Sequence, residues 1–202
     1  MAISGDYFQG HSDRMQTRYA PLLALAALSA TPAMADTAPR AAATAEPRDG
    51  SHDFDFLFGK YTLSLKRLKN PLHGSHEWTQ STGTMITRPL WSGKANVEEF
   101  FAESPAGRIE ALTLRTYSTT DHQWTIYWGN AKMGKLDVPM TGEFKDGRGE
   151  FYDQELFEGR QIYVRYIWSN ITPKSGHFEQ SFSADGGKTW EVNWISDMAR
   201  VE

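Results

Sequence analysis

Apolar and polar residues alternate along most of the chain after residue 59, in short runs that are separated by turn residues. Alternation with a period of two is typical of β-strands that bury one face. The sequence QWTIYW at residues 123–128 shows this pattern most clearly, and Asp146-Gly147 and Asp185-Gly186 are typical of hairpin turns. The pattern predicts ten strands, at residues 60–69, 76–87, 95–103, 108–117, 123–128, 137–144, 148–157, 160–169, 176–183 and 189–200.

Short connections between successive strands predict antiparallel neighbours in a meander. A meander of this length removes its exposed edges when it closes on itself, so we expect an all-β fold, an antiparallel up-and-down β-barrel of about ten strands. A jelly-roll sandwich is the alternative, but it needs longer crossover connections. Before the first strand, the sequence DFDFLFGKY at residues 53–61 predicts a short aromatic plug turn at one end of the barrel, with a bend at Gly59.

The first part of the chain has the pattern of an export signal. An apolar run at residues 20–28 is too short to span a bilayer, and Arg14 and Arg18 precede it. Ala33-Met34-Ala35 follows as a small-x-small cleavage site, so residues 1–35 are predicted to be a signal peptide. An uncleaved membrane anchor is the alternative. The expected location is periplasmic or secreted.

Residues 36–51 are rich in Ala, Thr, Pro and charged residues without an apolar period, which predicts a disordered linker before a barrel domain at 52–202. The chain has no cysteine, which excludes thiol catalysis and thiolate metal ligands. Its formal net charge of −4 gives no indication of nucleic-acid binding. No membrane span is expected, and the sequence does not indicate an oligomeric state.

Two segments carry a resemblance to known proteins. FLFGKY at residues 56–61 resembles the opening of the calycins, whose lipocalin branch has a Gly-x-Trp motif; Tyr61 stands here in place of the Trp. Together with FSADGGKTW at residues 182–190, it resembles a family of secreted bacterial lipocalin-like proteins of unknown function. The resemblance covers about residues 52–202 and implies a calycin-type barrel around a small molecule. It implies no catalytic residues.

Tryptophans repeat on one face of two predicted strands. Trp124 and Trp128 share a face of one strand, and Trp190 and Trp194 share a face of another. If these faces point inward, Trp124, Trp128 and Trp194 would line a cavity for a flat or apolar ligand. Alternatively, they would fill the barrel interior.

Charged residues within predicted strands are the next candidates. Arg115 or Arg165, if directed inward, would bind a carboxylate or phosphate group through its guanidinium fork. A buried arginine needs a partner, and Glu98 or the ligand itself could supply one. The alternative is that these side chains point to solvent, as half the positions on a strand do.

His177 and Glu179 are two residues apart on one strand and therefore face the same way. With Tyr127 they could provide acid–base catalysis, and His177 or His122 could alternatively be an axial haem ligand. A surface His–Glu pair is the other interpretation. No metal site is predicted, because His73 and His76 have no evident third ligand.

Four functions are compatible with these patterns. We expect foremost a periplasmic barrel, without cofactor, that binds a small apolar or aromatic molecule. The second hypothesis is a cofactor-free lyase, hydratase or isomerase that uses His177, Glu179, Tyr127 and Arg165 in the barrel cavity. Haem binding is the third, and an envelope interaction protein with a completely filled barrel is the fourth.

Overall fold

The computed structural model describes residues 48–104 and 107–201. The predicted signal peptide and the linker up to residue 47 lie outside the described residues. Gly50 is hydrogen-bonded to the barrel on both sides: its amide donates to the Tyr117 hydroxyl, and Trp124 Nε1 donates to its carbonyl, each over 2.9 Å. The packed chain therefore includes Gly50 and the buried Ser51, which the sequence analysis assigns to the linker. No helix in the described ranges is long and apolar enough to cross a membrane.

Ten antiparallel strands close into a barrel, as the alternation predicts. The strands are β1 Gly59–Leu68, β2 Trp78–Leu90, β3 Ala95–Ser104, β4 Gly107–Ser118, β5 Gln123–Asn130, β6 Lys135–Leu136, β7 Met140–Lys145, β8 Arg148–Phe157, β9 Arg160–Ser169, β10 Ser175–Ser183 and β11 Glu191–Arg200. Each strand pairs with the next in the chain, except that β5 pairs with β7, and β1 closes the barrel by pairing with β11. The two-residue strand β6 pairs with β5 beside the main ladder. Neighbours in the barrel are thus neighbours in sequence, which excludes a jelly roll.

The two faces of the first strand show why the sequence forms this barrel. Tyr61, Leu63 and Leu65 point inward and are buried, whereas Thr62 and Ser64 between them are exposed. Burial of each such apolar side chain contributes about 1.5–3 kcal/mol, so a shift of register by one residue would expose the whole set.

Two tight turns fix the register of three neighbouring strands. Asp146 and Gly147 join β7 to β8, and Glu158 and Gly159 join β8 to β9. All four residues have positive φ values, between 51° and 77°. This backbone conformation matches the twist of antiparallel strands, and glycine adopts it without steric cost.

The aromatic plug closes one end of the barrel. A single 3-10 turn, Asp55–Leu57, follows Phe54, whose side chain is completely buried. Its ring centroid lies 5.0 Å from that of Trp124, 4.9 Å from Phe144 and 5.2 Å from Trp168, all edge to face. This packing fills the barrel at the plug end and confirms the expected plug turn.

Arg200, at the end of the last strand, ties the plug to the barrel wall. Its guanidinium donates to the Phe56 carbonyl over 2.8 Å and lies 4.7 Å from the centre of the Tyr61 ring. Gly59 begins β1 with φ of 109°, and a Cβ atom there would lie 2.8 Å from Arg200 Nη1. Glycine is therefore needed at this bend.

Candidate functional site

A cavity of about 230 Å³ lies inside the barrel beyond the plug. Leu57 of the plug contributes to its lining, as do inward-facing residues from β1 to β5 and from β7 to β11. A lining drawn from nearly every strand means that the barrel itself shapes the cavity. The barrel is therefore not filled throughout by side chains.

One part of the cavity wall is a cluster of three aromatic rings. The Phe100 and Trp128 centroids are 5.4 Å apart, and Trp194 lies 6.0 Å from Phe100 and 6.1 Å from Trp128. The rings are steeply inclined to one another, the edge-to-face arrangement that aromatic pairs favour. They come from β3, β5 and β11, where alternation directs each of them inward.

A second aromatic group comes from β9 and β10. Phe178 lies 5.1 Å from Tyr166 and 4.9 Å from Trp168, between ring centroids. Trp168 also contacts Phe54, so this group connects the cavity wall with the plug. A cavity with such walls favours flat apolar groups, because they gain ring contacts and lose contact with water.

A buried ion pair also lines the cavity. Arg115 Nη2 donates to Glu98 Oε2 over 2.9 Å, and the two side chains are 3% and 5% exposed. Asn96 accepts a hydrogen bond from Arg115 Nη1 over 3.0 Å, and the Thr113 hydroxyl donates to Glu98 Oε1 over 3.1 Å. The guanidinium also lies 5.0 Å from the centre of the Phe54 ring. Arg115 Nε is buried and has no hydrogen-bond partner among the described residues.

Three carboxylates gather in another part of the lining. Asp153 and Glu155 are successive inward positions of β8, and Asp137 lies between β6 and β7. Burial raises the pKa of Asp153 to about 7, and the negative charges of Glu155 and Asp137 add to the effect. Burial, followed by the charge of Asp137, also raises the pKa of Glu155. Asp153 Oδ1 is buried and has no hydrogen-bond partner among the described residues.

Tyr166 and Arg67 complete the polar lining. Burial raises the pKa of the Tyr166 phenol, and the charges of Asp153, Glu155 and Asp137 raise it further, so this hydroxyl stays protonated at neutral pH. The Arg67 guanidinium lies 4.5 Å from the centre of the Trp194 ring, and burial lowers its pKa. The cavity thus combines aromatic walls with a cluster of three carboxylates and with two arginines.

Three of the residues that the sequence analysis selects as ligand-binding line the cavity: Arg115, Trp128 and Trp194. The other two do not. Trp124 also points inward from β5, but it lies closer to the plug end of the barrel than Ile126 and Trp128 and packs against Phe54. Arg165 lies on the outer face of β9, with its guanidinium 4.4 Å from the centre of the Trp190 ring, because Val164 and Tyr166 point inward on either side of it.

The three residues selected as catalytic also lie away from the cavity. Their inward-facing neighbours explain this: Phe178 and Gln180 on β10, and Trp128 on β5, occupy the inner face. His177, Glu179 and Tyr127 therefore lie on the outer face of the barrel.

His177 is part of an outer-face ion-pair network. Its Nδ1 is hydrogen-bonded to Asp197 Oδ1 over 2.6 Å, and its Nε2 is hydrogen-bonded to Glu179 Oε1 over 3.2 Å. His122 lies in the connection between β4 and β5, 3.4 Å from the Tyr117 hydroxyl. None of the described residues that line the cavity is a histidine, so the lining offers no imidazole for catalysis or for haem iron.

Four further lining residues were not among the predicted site residues: Asp137, Asp153, Glu155 and Tyr166. One signal for two of them was available, since Asp153 and Glu155 share the face of Phe151 on β8. The pattern of apolar residues does not show that this face is the inner one, because the opposite face carries the apolar Leu156, which is 71% exposed. Among the described residues, no three His, Asp or Glu side chains are arranged to hold a metal ion.

No protein-family model and no curated protein matches this chain. Among solved structures, it is similar to an S-type phycobiliprotein lyase from Guillardia theta, at 9% identity and a TM-score of 0.54. That alignment covers 77% of this chain and 94% of the lyase. A redesigned β-barrel bound to DFHBI is also similar, at 14% identity and a TM-score of 0.40, over 72% of this chain and 99% of that one. The likeness to the lyase shows a common barrel fold.

Proposed function

We propose that this protein binds a small apolar or aromatic molecule inside its barrel, in the periplasm or outside the cell. The observation that carries the proposal is the cavity of about 230 Å³ with two groups of aromatic rings in its wall. The export pattern at residues 1–35 supports the location. This cavity does not fit the alternative of an interaction protein whose barrel interior is completely filled.

The volume restricts the size of the ligand. A cavity of about 150 Å³ accommodates benzene, and pockets for drug-sized molecules start at about 300 Å³. The cavity described here, at about 230 Å³, lies between these values. A ligand of one or two rings matches this space.

Calorimetric titration of the purified chain with 3-ethylindole, an uncharged two-ring probe, tests the proposal. We expect saturable binding at one site per chain. Trp194→Ala removes a ring from the cavity wall and is expected to weaken binding about tenfold or more, because an aromatic contact and its buried area are lost. Trp78→Ala is the matched control, because this residue lies outside the lining and is 37% exposed. Absence of saturable binding, or equal effects of the two variants, would overturn the proposal.

A second candidate function rests on Asp153. A cofactor-free lyase, hydratase or isomerase needs a group that exchanges a proton near neutral pH, and Asp153, with a pKa of about 7, is such a group within the cavity. Incubation of the protein with a periplasmic metabolite extract, followed by mass spectrometry, tests this function. Conversion that is lost in Asp153→Asn and retained in the exposed control Glu143→Gln would establish it; no conversion would exclude it for the molecules in that extract.

A further inference from the structure

Two residues that line the cavity each have a buried polar atom without a hydrogen-bond partner among the described residues. Arg115 Nε is a donor on a side chain that is only 3% exposed, and Asp153 Oδ1 is an acceptor. A buried polar atom without a hydrogen bond costs about 1–3 kcal/mol, and native proteins contain few of them. A donor and an acceptor left open in one cavity indicate a ligand that satisfies both.

The charges of the lining determine which end of such a ligand is positive. The lining contains the carboxylates of Glu98, Asp137, Asp153 and Glu155 but only the guanidiniums of Arg67 and Arg115, an excess of two negative charges when all are ionised. Glu98 already neutralises Arg115 at 2.9 Å. The remaining carboxylates on β8 and between β6 and β7 therefore carry the uncompensated charge.

Arg67 does not compensate these carboxylates. Its guanidinium packs on the Trp194 ring and forms no ion pair among the described residues. Burial lowers the pKa of Arg67, which is the direction opposite to the shift that a nearby carboxylate would cause. A cation in the cavity would consequently have the carboxylates of Asp153 and Glu155 available to it.

We propose that the ligand is an arylalkylamine of one or two rings, or another flat aromatic cation, whose positively charged nitrogen lies against Asp153 and Glu155 and whose ring offers a hydrogen-bond acceptor to Arg115. This inference rests on the proposed function and specifies its ligand. The aromatic wall supports it, because aromatic rings such as those of Trp128 and Tyr166 attract cations as well as other rings.

The same geometry disfavours the anionic ligand that an inward arginine suggests. A carboxylate or phosphate at Arg115 Nε would add a second negative group to a guanidinium that Glu98 already neutralises, and Glu98 is held in place by the Thr113 hydroxyl as well. It would also enter a cavity with Asp137, Asp153 and Glu155 in its lining. Both effects oppose binding of a negative group.

Three probes with the same indole ring and side chains of different charge test the charge of the ligand: tryptamine, uncharged 3-ethylindole and the indole-3-propionate anion. At a pH of about 8 we expect tryptamine to bind about tenfold more tightly than 3-ethylindole, since a hydrogen bond to a charged group contributes more than a neutral contact. Indole-3-propionate should bind most weakly. Equal binding of tryptamine and 3-ethylindole, or tightest binding of the anion, would overturn the inference and leave the proposed function standing. Failure of all three would overturn both.

Variants connect this preference to the carboxylates. Asp153→Asn should weaken tryptamine binding about tenfold and thereby remove the preference for tryptamine over 3-ethylindole, because only the cation interacts with the carboxylate charge. Glu155→Gln provides the same test on a second side chain. Glu143→Gln, on the exposed face of β7, is the control and should change neither. Loss of tryptamine preference in the control, or its retention in both cavity variants, would contradict the proposed site.

The acceptor is tested separately. 5-Methoxytryptamine adds an oxygen to the ring edge remote from the amine, and it should bind more tightly than tryptamine if Arg115 Nε donates to it. Equal or weaker binding would overturn this part of the inference while leaving the site of the cation unaffected.

Discussion

Arg115 Nη2 lies 2.9 Å from Glu98 Oε2 inside the barrel, on side chains that are almost fully buried. The register of β3 and β4 places Asn96 opposite Arg115 and Glu98 opposite Thr113, so the pair is diagonal across the two strands. Both strands thus direct polar residues to the interior at this level. The pair is held by the barrel wall without a ligand, which leaves Arg115 Nε for a different partner.

Glu98→Ala is expected to destabilise the protein by about 3–5 kcal/mol, because it leaves the Arg115 guanidinium buried without its counter-charge. Urea unfolding followed by circular dichroism measures the change in the free energy of unfolding. The matched control is the next residue, Glu99, which pairs with Arg88 on the outer face, where the side chains are 44% and 56% exposed. Glu99→Ala should cost about 0–1 kcal/mol.

The double variant Glu98→Leu/Arg115→Met distinguishes the loss of the ion pair from the cost of leaving one charge buried without its partner. Replacement of both buried partners by apolar residues of similar size is often nearly neutral. We expect it to be more stable than Glu98→Ala. A double variant less stable than the single one would show that the pair itself stabilises the barrel.

Asp153→Asn should stabilise the empty protein at alkaline pH but not at acidic pH. The pKa of Asp153 is raised from 3.8 to about 7 by burial and by Glu155 and Asp137, and Tyr166 and Arg115 are the other titratable groups nearby. Between these two values the folded state binds more protons than the unfolded state, so stability falls as the pH rises. Thermal unfolding should show the advantage of the variant growing from pH 3.8 to about 7 and then remaining constant.

Glu143→Gln is the control for this experiment, because that carboxylate is exposed. Glu143→Gln should raise the unfolding temperature by less than Asp153→Asn at alkaline pH, because no buried charge is removed. An advantage of Asp153→Asn that is constant with pH would contradict the assignment of Asp153 as a buried acid in the cavity.

Protonated His177 should stabilise the fold at acidic pH. Burial lowers its pKa, but the hydrogen bonds to Asp197 and Glu179 outweigh this effect and raise the pKa above 6.5. The stabilisation is therefore complete below the unfolded value of 6.5 and is lost as the pH rises through the folded value. His177→Gln should lower the unfolding temperature in acid and have little effect in alkali. It should leave binding of 3-ethylindole unchanged, because His177 does not line the cavity.

Much of the fold could be predicted from the sequence, because its determinants are local. Alternation reflects a buried and an exposed face on β1 and a more and a less buried face on β5, and Asp146-Gly147 and Glu158-Gly159 form tight turns through their own backbone preferences. β6 was not predicted. It has only two residues, too few for any alternation to be recognised.

The site was less accessible to sequence analysis, because it depends on which face of each strand is the inner one. Arg165 and His177 are on strands where both faces carry aromatic or polar residues, so their direction was decided by the packing of Tyr166 and Phe178. The inward direction of Asp153 was not evident from the sequence for the same reason. Its pKa is raised chiefly by burial in the barrel as a whole, then by the charge of Glu155 and by that of Asp137, which is on a different segment.

The most direct test of the account is to fill the cavity. Ser196 is a small, buried residue of the lining, and Ser196→Phe would occupy the space that the ligand requires. Ser64→Phe places the same side chain on the exposed face of β1 and is the control. Calorimetric titration with 3-ethylindole should show one site per chain in the native protein and in Ser64→Phe, and no binding in a folded Ser196→Phe. Unchanged binding in Ser196→Phe would contradict the claim that the barrel interior is the ligand site.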